Sequence, residues 1–296
     1  MADNAIGYVF NFGDGGTKTT SQNVITYKFK TLGTKTYTVT VRAKSQDNLE
    51  ASTTLDVTVN YAGPQLVWSD EFNIDGAPDA SKWGYDLGDG CPNNCGWGNN
   101  EAEYYTSRTQ NVSISGGALK ITALKEAYMG KPYTSTRMLT QNEFSFTYGI
   151  VEVRAKLPVG AGTWPAVWML GTNINSVSWP ACGEIDIMEH VGKNLNTIYG
   201  TLHYPGRSGG NADGSTTVVP TASSEFHIYK LQWDESTIKI SVDGNVFHTV
   251  TNSQSLPFNQ DFFIILNVAM GGNFGGPVDA SINSATMEID YLRVYQ

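Results

Sequence analysis

Three acids alternate with apolar residues in Cys182-Gly-Glu184-Ile-Asp186-Ile-Met-Glu189-His190. Glu184 and Asp186 are two apart, so they share one face of a strand. Glu189 is five from Glu184, and a regular strand would turn it to the opposite, apolar face. A charge is expensive there. One extra residue resolves the conflict: a β-bulge at Ile187-Met188 returns Glu189 to the face of the other two acids. Three carboxylates in a row repel, so their pKa values must spread. With Asp186 hydrogen-bonded to one flank, one glutamate stays ionised while the other keeps its proton near neutral pH. That division suits the cleavage of a glycosidic bond, with one nucleophile and one acid/base. Along a bulged strand the Cα atoms of Glu184 and Glu189 lie roughly 13 Å apart. Retention requires the carboxyl groups to converge to about 5–5.5 Å, which a strongly curved strand would allow. Taken alone, alternating acids are more often a solvated strand face or a Ca²⁺ site. The neighbouring residues favour catalysis.

Those neighbours are aromatic. Trp164 and Trp168 precede the acids, Trp179 lies five residues ahead of Glu184, and Trp97 sits in Gly96-Trp-Gly-Asn-Asn-Glu-Ala-Glu-Tyr-Tyr105. Indole faces stack on the apolar faces of sugar rings. Asn99, Asn100, Glu101, Arg137, His190 and His203 can add directional donors and acceptors. Core packing is the competing reading for each tryptophan, and the stronger one for Trp68, Trp83 and Trp233. A structural role is the competing reading for each histidine. His190, beside Glu189, is the one expected in the site instead.

The elements that position these groups read as β structure. The chain of 296 residues is 40% apolar, 11% aromatic and only 16% charged, with 31 glycines. That is enough apolar material for a sizeable core, in about two domains. Short strands recur between turns: Ala118 to Ala123, Gly149 to Lys156, Ile238 to Val242, Phe262 to Val268 and Met287 to Tyr295. No sustained 3.6-residue period occurs, so a sandwich or jelly roll is expected rather than alternating strands and helices. Earlier, Tyr37-Thr-Val-Thr-Val41 and Leu55-Asp-Val-Thr-Val59 alternate as half-buried strands, and Gly13-Asp14-Gly15-Gly16 is a turn. Tyr61-Ala-Gly-Pro64 reads as a linker. The predicted domains are therefore 1–62 and 63–296.

Net charge is −9, from 28 acids against 19 bases. The first 60 residues carry 6 bases and 5 acids, so the negative charge belongs to the remainder. This balance disfavours nucleic acid and anionic membranes as partners. No apolar run reaches the ~18–20 residues of a membrane helix. Met1 is followed by a polar stretch rather than a secretory signal, which fits a cytosolic protein or one whose leader has been removed. Cys91 and Cys95 lie in one turn-rich loop where a disulfide is possible and metal ligation is disfavoured. Cys182 reads as a small buried hydrophobe.

Phe10-Asn-Phe-Gly-Asp-Gly15 followed by Gly33-Thr-Lys-Thr-Tyr-Thr-Val-Thr-Val41 resembles the PKD module, an immunoglobulin-like β-sandwich used as a spacer in secreted polysaccharide-degrading enzymes. With nine residues before Phe10, this copy reads as truncated at its N-terminus. Residues from about 64 to 296 resemble glycoside hydrolase family 16, within it the bacterial endo-β-1,3-glucanases. The matching pieces are Leu66-Val-Trp-Ser-Asp-Glu-Phe72, Gly96-Trp-Gly-Asn-Asn-Glu101, Tyr133-Thr-Ser-Thr-Arg137, Phe144-Ser-Phe-Thr-Tyr-Gly149, Trp164 to Leu170, Gly183 to His190, Gly200-Thr-Leu-His203 and Ile289-Asp-Tyr-Leu-Arg-Val-Tyr295.

The resemblance implies an all-β chain, a jelly-roll β-sandwich with a concave substrate cleft. It implies Glu184 as nucleophile, Glu189 as general acid/base and Asp186 as the assisting carboxylate. Trp164, Trp168, Trp179, Arg137, Asn100, His190 and His203 would line the cleft, with Asn267 and Met270 in a loop near it. It also implies a structural Ca²⁺ on the convex face, held by backbone oxygens of Glu71 and Gly117 and by Asp290. Ligation by oxygen alone suits that ion. The expected partner is a β-glucan polysaccharide, the expected state a secreted or cell-surface monomer. The same chemistry on mixed-linkage glucan or on a red-algal galactan, a transglycosylase, and a non-catalytic lectin-like sandwich are the alternatives. The inserted Met188 argues against the mixed-linkage type, and the presence of all three acids argues against the lectin.

Overall fold

The structure is a computed structural model that describes residues 5–29, 33–61 and 63–296. Residues 1–4 of the polar opening segment and Ala62 of the predicted linker lie outside the described residues. The chain divides into two units, Met1–Gln65 and Leu66–Gln296.

The first unit holds β1 (Ala5–Asn11), β2 (Thr17–Thr20), β3 (Gly33–Ser45) and β4 (Glu50–Tyr61). They form one antiparallel sheet in the order β2-β1-β3-β4. The predicted glycine turn joins β1 to β2. Gly13 has φ 75° there, and a Cβ on it would meet Thr38 O at 2.8 Å, so only glycine fits. Tyr37 and Val39 are buried with Phe10 and Phe12, while Leu55 on the edge strand β4 is exposed. Among the described residues the unit has one sheet, not the two of the expected sandwich. The covering layer is the irregular segment 21–29, which lays Ile25, Tyr27 and Phe29 over Phe12.

The second unit opens with β5 (Leu66–Asp70), β6 (Gly84–Asp86), β7 (Glu103–Tyr105), β8 (Val112–Ile114), β9 (Leu119–Tyr128), β10 (Lys131–Ser135) and β11 (Arg137–Leu139). Then come β12 (Gly149–Lys156), β13 (Thr163–Gly171), β14 (Glu184–His190), β15 (Thr197–His203) and β16 (Asp213–Val218). The last are β17 (His227–Trp233), β18 (Thr237–Val242), β19 (Asn245–Thr251), β20 (Phe262–Met270) and β21 (Ser284–Tyr295). One sheet runs β19-β18-β17-β12-β21-β9-β10-β7, with β5 added on β21 and β8 on β9. The other runs β16-β15-β14-β13-β20-β11-β6. The order jumps along the chain, so each layer is assembled from distant strands, as in a jelly roll.

The core lies between the two layers. Ile185, Ile187, Val167, Met169, Ile264 and Leu266 of one layer meet Val151, Val153, Leu231, Met287 and Ile289 of the other. Each such buried side chain contributes about 1.5–3 kcal/mol. Along β13 the parity alternates: Val167 and Met169 enter the core, and Trp164 and Trp168 turn out. Trp83 and Trp233 are buried and Trp68 packs on the core. No helix among the described residues is long and apolar enough to cross a membrane.

Candidate active site

The bulge sits where the spacing of the acids requires it. Against β13, Trp168 pairs with Asp186 and Val167 with Met188, which leaves Ile187 as the extra residue. Against β15, Thr201 pairs with Asp186 and Tyr199 with Glu189. Ile187 and Met188 both enter the core. Glu184, Asp186 and Glu189 therefore all line one cleft of about 750 Å³ on the outer face of the seven-stranded layer. Trp97, Trp164, Trp168, Trp179, Arg137, His203 and Asn267 line the same cleft.

Two tryptophans donate to the outer acids. Trp179 Nε1–H donates to Glu184 Oε2 at 2.8 Å, and Trp164 Nε1–H donates to Glu189 Oε1 at 2.9 Å. Trp168 Nε1–H donates to Asn267 Oδ1 at 2.8 Å. The Arg137 guanidinium lies between the Trp97 and Trp168 rings, 4.6 and 4.8 Å from their centroids, with its Nε 2.9 Å from Asp86 Oδ2. Cation–π contact and the ion pair hold three side chains as one block.

His203 Nδ1 accepts the Gly209 N–H at 3.1 Å. The ring proton therefore belongs on Nε2. That nitrogen lies 3.2 Å from Asp186 Oδ2 and 3.6 Å from Glu184 Oε1. The ligand atoms of Glu184, Asp186 and His203 lie within 4.8 Å of one another, a cluster that could also hold a cation.

Burial is the largest influence on all three acids, and it pushes each carboxyl up. Repulsion adds to it: Asp186 and Glu189 raise Glu184, and Glu189 raises Asp186. The Trp164 hydrogen bond pulls Glu189 partly back, as Trp179 does for Glu184. The group as a whole keeps a proton at pH values where isolated carboxyls have lost theirs.

Some expected residues fall elsewhere. His190 does not line the cleft. It is fully buried, its Nε2 is 2.6 Å from Leu195 O, and burial lowers its pKa. The bulge that turns Glu189 outward turns the next residue inward. Asn100 is exposed at the rim, where its Nδ2–H donates to Asn273 Oδ1 at 2.8 Å; Asn273, not Asn100, lines the cleft. Asn267 and Met270 belong to β20 rather than a loop, and Met270 points into the core. The Cys91–Cys95 disulfide is formed in the loop that carries Asn94 and Trp97, and Cys182 is buried. Thr201 and Phe274 line the cleft without having been anticipated. Thr201 is two residues before His203 on β15, so strand parity alone would have found it. Phe274 stands edge-on to Trp164 with ring centroids 5.5 Å apart, a contact that no local pattern announces.

The expected Ca²⁺ ligands flank β21. Leu292 is opposite Asp70, and Ile289 is opposite Leu119. β12 covers the other edge of β21, so Glu71 and Gly117 run on toward Asp290 along one edge, from opposite directions. One Asp290 oxygen is taken by Arg154 at 2.6 Å and the Glu71 side chain pairs with Arg293, which leaves the second Asp290 oxygen and the two backbone carbonyls as the oxygen donors such an ion would use.

Two sheets around one core, with paired carboxyls in a tryptophan-lined cleft, define an enzyme that cleaves carbohydrate. The model of the glycosyl hydrolases family 16 matches residues 99–293, and the chain belongs to that family. A model described as beta-glucan synthesis-associated protein SKN1/KRE6/Sbg1 also matches, over residues 9–184. The Beta-glucanase of Rhodothermus marinus is 43% identical over 248 residues, 78% of this chain and 85% of that protein. Glucan endo-1,3-beta-glucosidase A1 of Niallia circulans is 38% identical over 277 residues, 85% of this chain and 40% of that protein. The X-ray structure of the laminarinase from Rhodothermus marinus superposes with a TM-score of 0.75 at 42% identity, covering 79% of this chain and 98% of that one.

Proposed function

We propose that this glycoside hydrolase is an endo-hydrolase of β-1,3-glucosidic bonds in laminarin-type β-glucans and works with retention. The carrying observation is the bulge that brings Glu184 and Glu189 to one wall of an aromatic cleft, each under an indole N–H. The relatives named for β-1,3-glucan support the substrate.

Glu189, its carboxyl raised by burial, gives its proton to the glycosidic oxygen as the bond from the anomeric carbon breaks. Glu184 bonds to that carbon through an oxocarbenium-like transition state and forms a glycosyl ester. Glu189, now a carboxylate, takes a proton from water. The hydroxide adds to the anomeric carbon and frees Glu184. Asp186, between the two and beside His203 Nε2, tunes and orients Glu184. The indoles of Trp164, Trp168 and Trp179 stack sugar rings, and Asn267 and the Arg137 block fix their orientation.

The test is a parallel digestion of laminarin, mixed-linkage β-glucan, agarose and porphyran with the products sized. Short β-1,3-linked oligosaccharides from laminarin and nothing from the galactans are expected. Cleavage of a galactan without laminarin would overturn the substrate assignment and leave the two glutamates in place.

A Ca²⁺ held by Glu71 O, Gly117 O and Asp290 would brace the end of β5 and the start of β9. The first unit is read as a PKD-like spacer, supported by its Phe-Gly-Asp-Gly turn. Secretion follows from a polymer too large to enter a cell. A monomer is the expected state.

A further inference from the structure

A second pair of buried acids, Glu101 in the cleft wall and Glu103 beside it, is not used by the proposed reaction. Glu103 and Tyr105 share one face of β7, and Glu101, two residues before the strand, keeps the same alternation. Glu101 is 5% exposed, and Glu103 and Tyr105 are 0% exposed. They end a hydrogen-bond series that starts at the sugar-facing Trp168. Its Nε1–H donates to Asn267 Oδ1 at 2.8 Å. Asn267 Nδ2–H donates to the Tyr105 hydroxyl at 3.0 Å, and Tyr105 O–H donates to Glu101 Oε2 at 2.9 Å. Every donor points the same way, toward one carboxylate, and such a series polarises itself. Asn99 Nδ2–H adds a longer bond to Glu101 Oε1 at 3.4 Å.

Glu103 lies next in the series. Its Oε2 accepts the Met270 N–H at 2.7 Å, and its Oε1 is buried with no donor aimed at it. That oxygen is the natural seat of a proton. Burial first, then the Glu101 carboxylate beside it, raise the Glu103 carboxyl well above its ordinary range. Tyr105 is raised as well, by burial and then by Glu101 and Glu103, so its hydroxyl stays a donor.

We propose that Glu101 is a positioning residue which, through Tyr105 and Asn267, fixes the Trp168 ring in the floor of the sugar-binding cleft, with Glu103 as its neutral hydrogen-bonding neighbour. The inference deepens the proposed function, since it rests on Trp168 being a sugar platform. The same ring carries the Arg137 guanidinium at 4.8 Å, so releasing Trp168 releases that cation too. Tyr105 must accept from one side and donate to the other. Phenylalanine cuts the series in the middle at nearly constant volume.

The experiment compares the full chain with Tyr105→Phe, Glu101→Gln and Glu103→Gln, measuring KM and kcat on laminarin oligosaccharides and the near-ultraviolet circular dichroism of the tryptophans. One net buried hydrogen bond corresponds to about fivefold in binding. Tyr105→Phe should raise KM by about that factor, hold kcat within about twofold and change the tryptophan signal. Glu101→Gln should do the same, because its amide puts a donor where the series needs an acceptor. Glu103→Gln keeps a neutral donor and an acceptor in the same shape, and should match the wild type in all three readouts. An unchanged KM in Tyr105→Phe overturns the proposal, as does a loss confined to kcat. Damage from Glu103→Gln equal to that from Tyr105→Phe also overturns it. If the wild type cleaves a galactan and not laminarin, the substrate reading fails. The positioning claim is then decided by the same variant-to-wild-type ratios on that galactan.

Discussion

Glu184, Asp186 and Glu189 are costly to the fold for the reason that makes them useful. Burial and mutual repulsion raise all three carboxyls. The folded chain thus holds protons that the unfolded chain releases near pH 4–4.5, and stability falls as pH rises from there through the folded pKa values. Glu184→Gln removes one negative charge from the group. Its melting temperature should exceed that of the wild type, by a margin larger at pH 8 than at pH 5; a margin that shrinks with pH would contradict the coupling. The same variant should lose turnover by orders of magnitude. Glu189→Gln should lose about 10²–10⁴-fold, the usual share of a general acid, and near-wild-type rates in either would end the assignment. In the wild type, kcat/KM should fall on the alkaline side as Glu189 loses its proton.

At the scale of the element, β14 works through its bulge. Inserting one alanine between Met188 and Glu189 adds a second extra residue, which turns Glu189 into the core and His190 out of it. A buried, unpaired carboxylate costs several kcal/mol, so a large drop in melting temperature and loss of activity are expected together. Thermal melts and laminarin assays of the insertion check this, and an active, stable insertion would show that strand parity beyond the bulge does not place Glu189. The strand was largely legible beforehand, because an acid five residues from its partner can share its face only through an extra residue. Adjacency to Glu189 does not bring His190 to the cleft. On a strand, the neighbour of an outward residue points inward.

In the whole molecule, the residues that line the cleft all fall between Asn94 and Phe274. Residues 66–296 alone should therefore keep kcat/KM on short oligosaccharides within about twofold. A larger loss would give the first unit a part in catalysis. Chelation with EGTA should lower the melting temperature while leaving the rate at 25 °C unchanged, and added Ca²⁺ should restore it. A melting temperature that ignores both would remove the metal from the proposal.

The sequence by itself determined the all-β class, the three acids and the need for a bulge. Each follows from a local period and the cost of burying charge. It also placed the tryptophans near the acids. Tertiary structure decided which of them donate to a carboxyl, that His203 rather than His190 faces the acids, and that Asn267 belongs to a strand. It also decided that Glu101 ends the series from Trp168. Those contacts join positions far apart in the chain, such as Asn267 with Tyr105, 162 residues away. Strand periodicity says which side a residue faces, but the order of strands in a layer decides which residue it meets there.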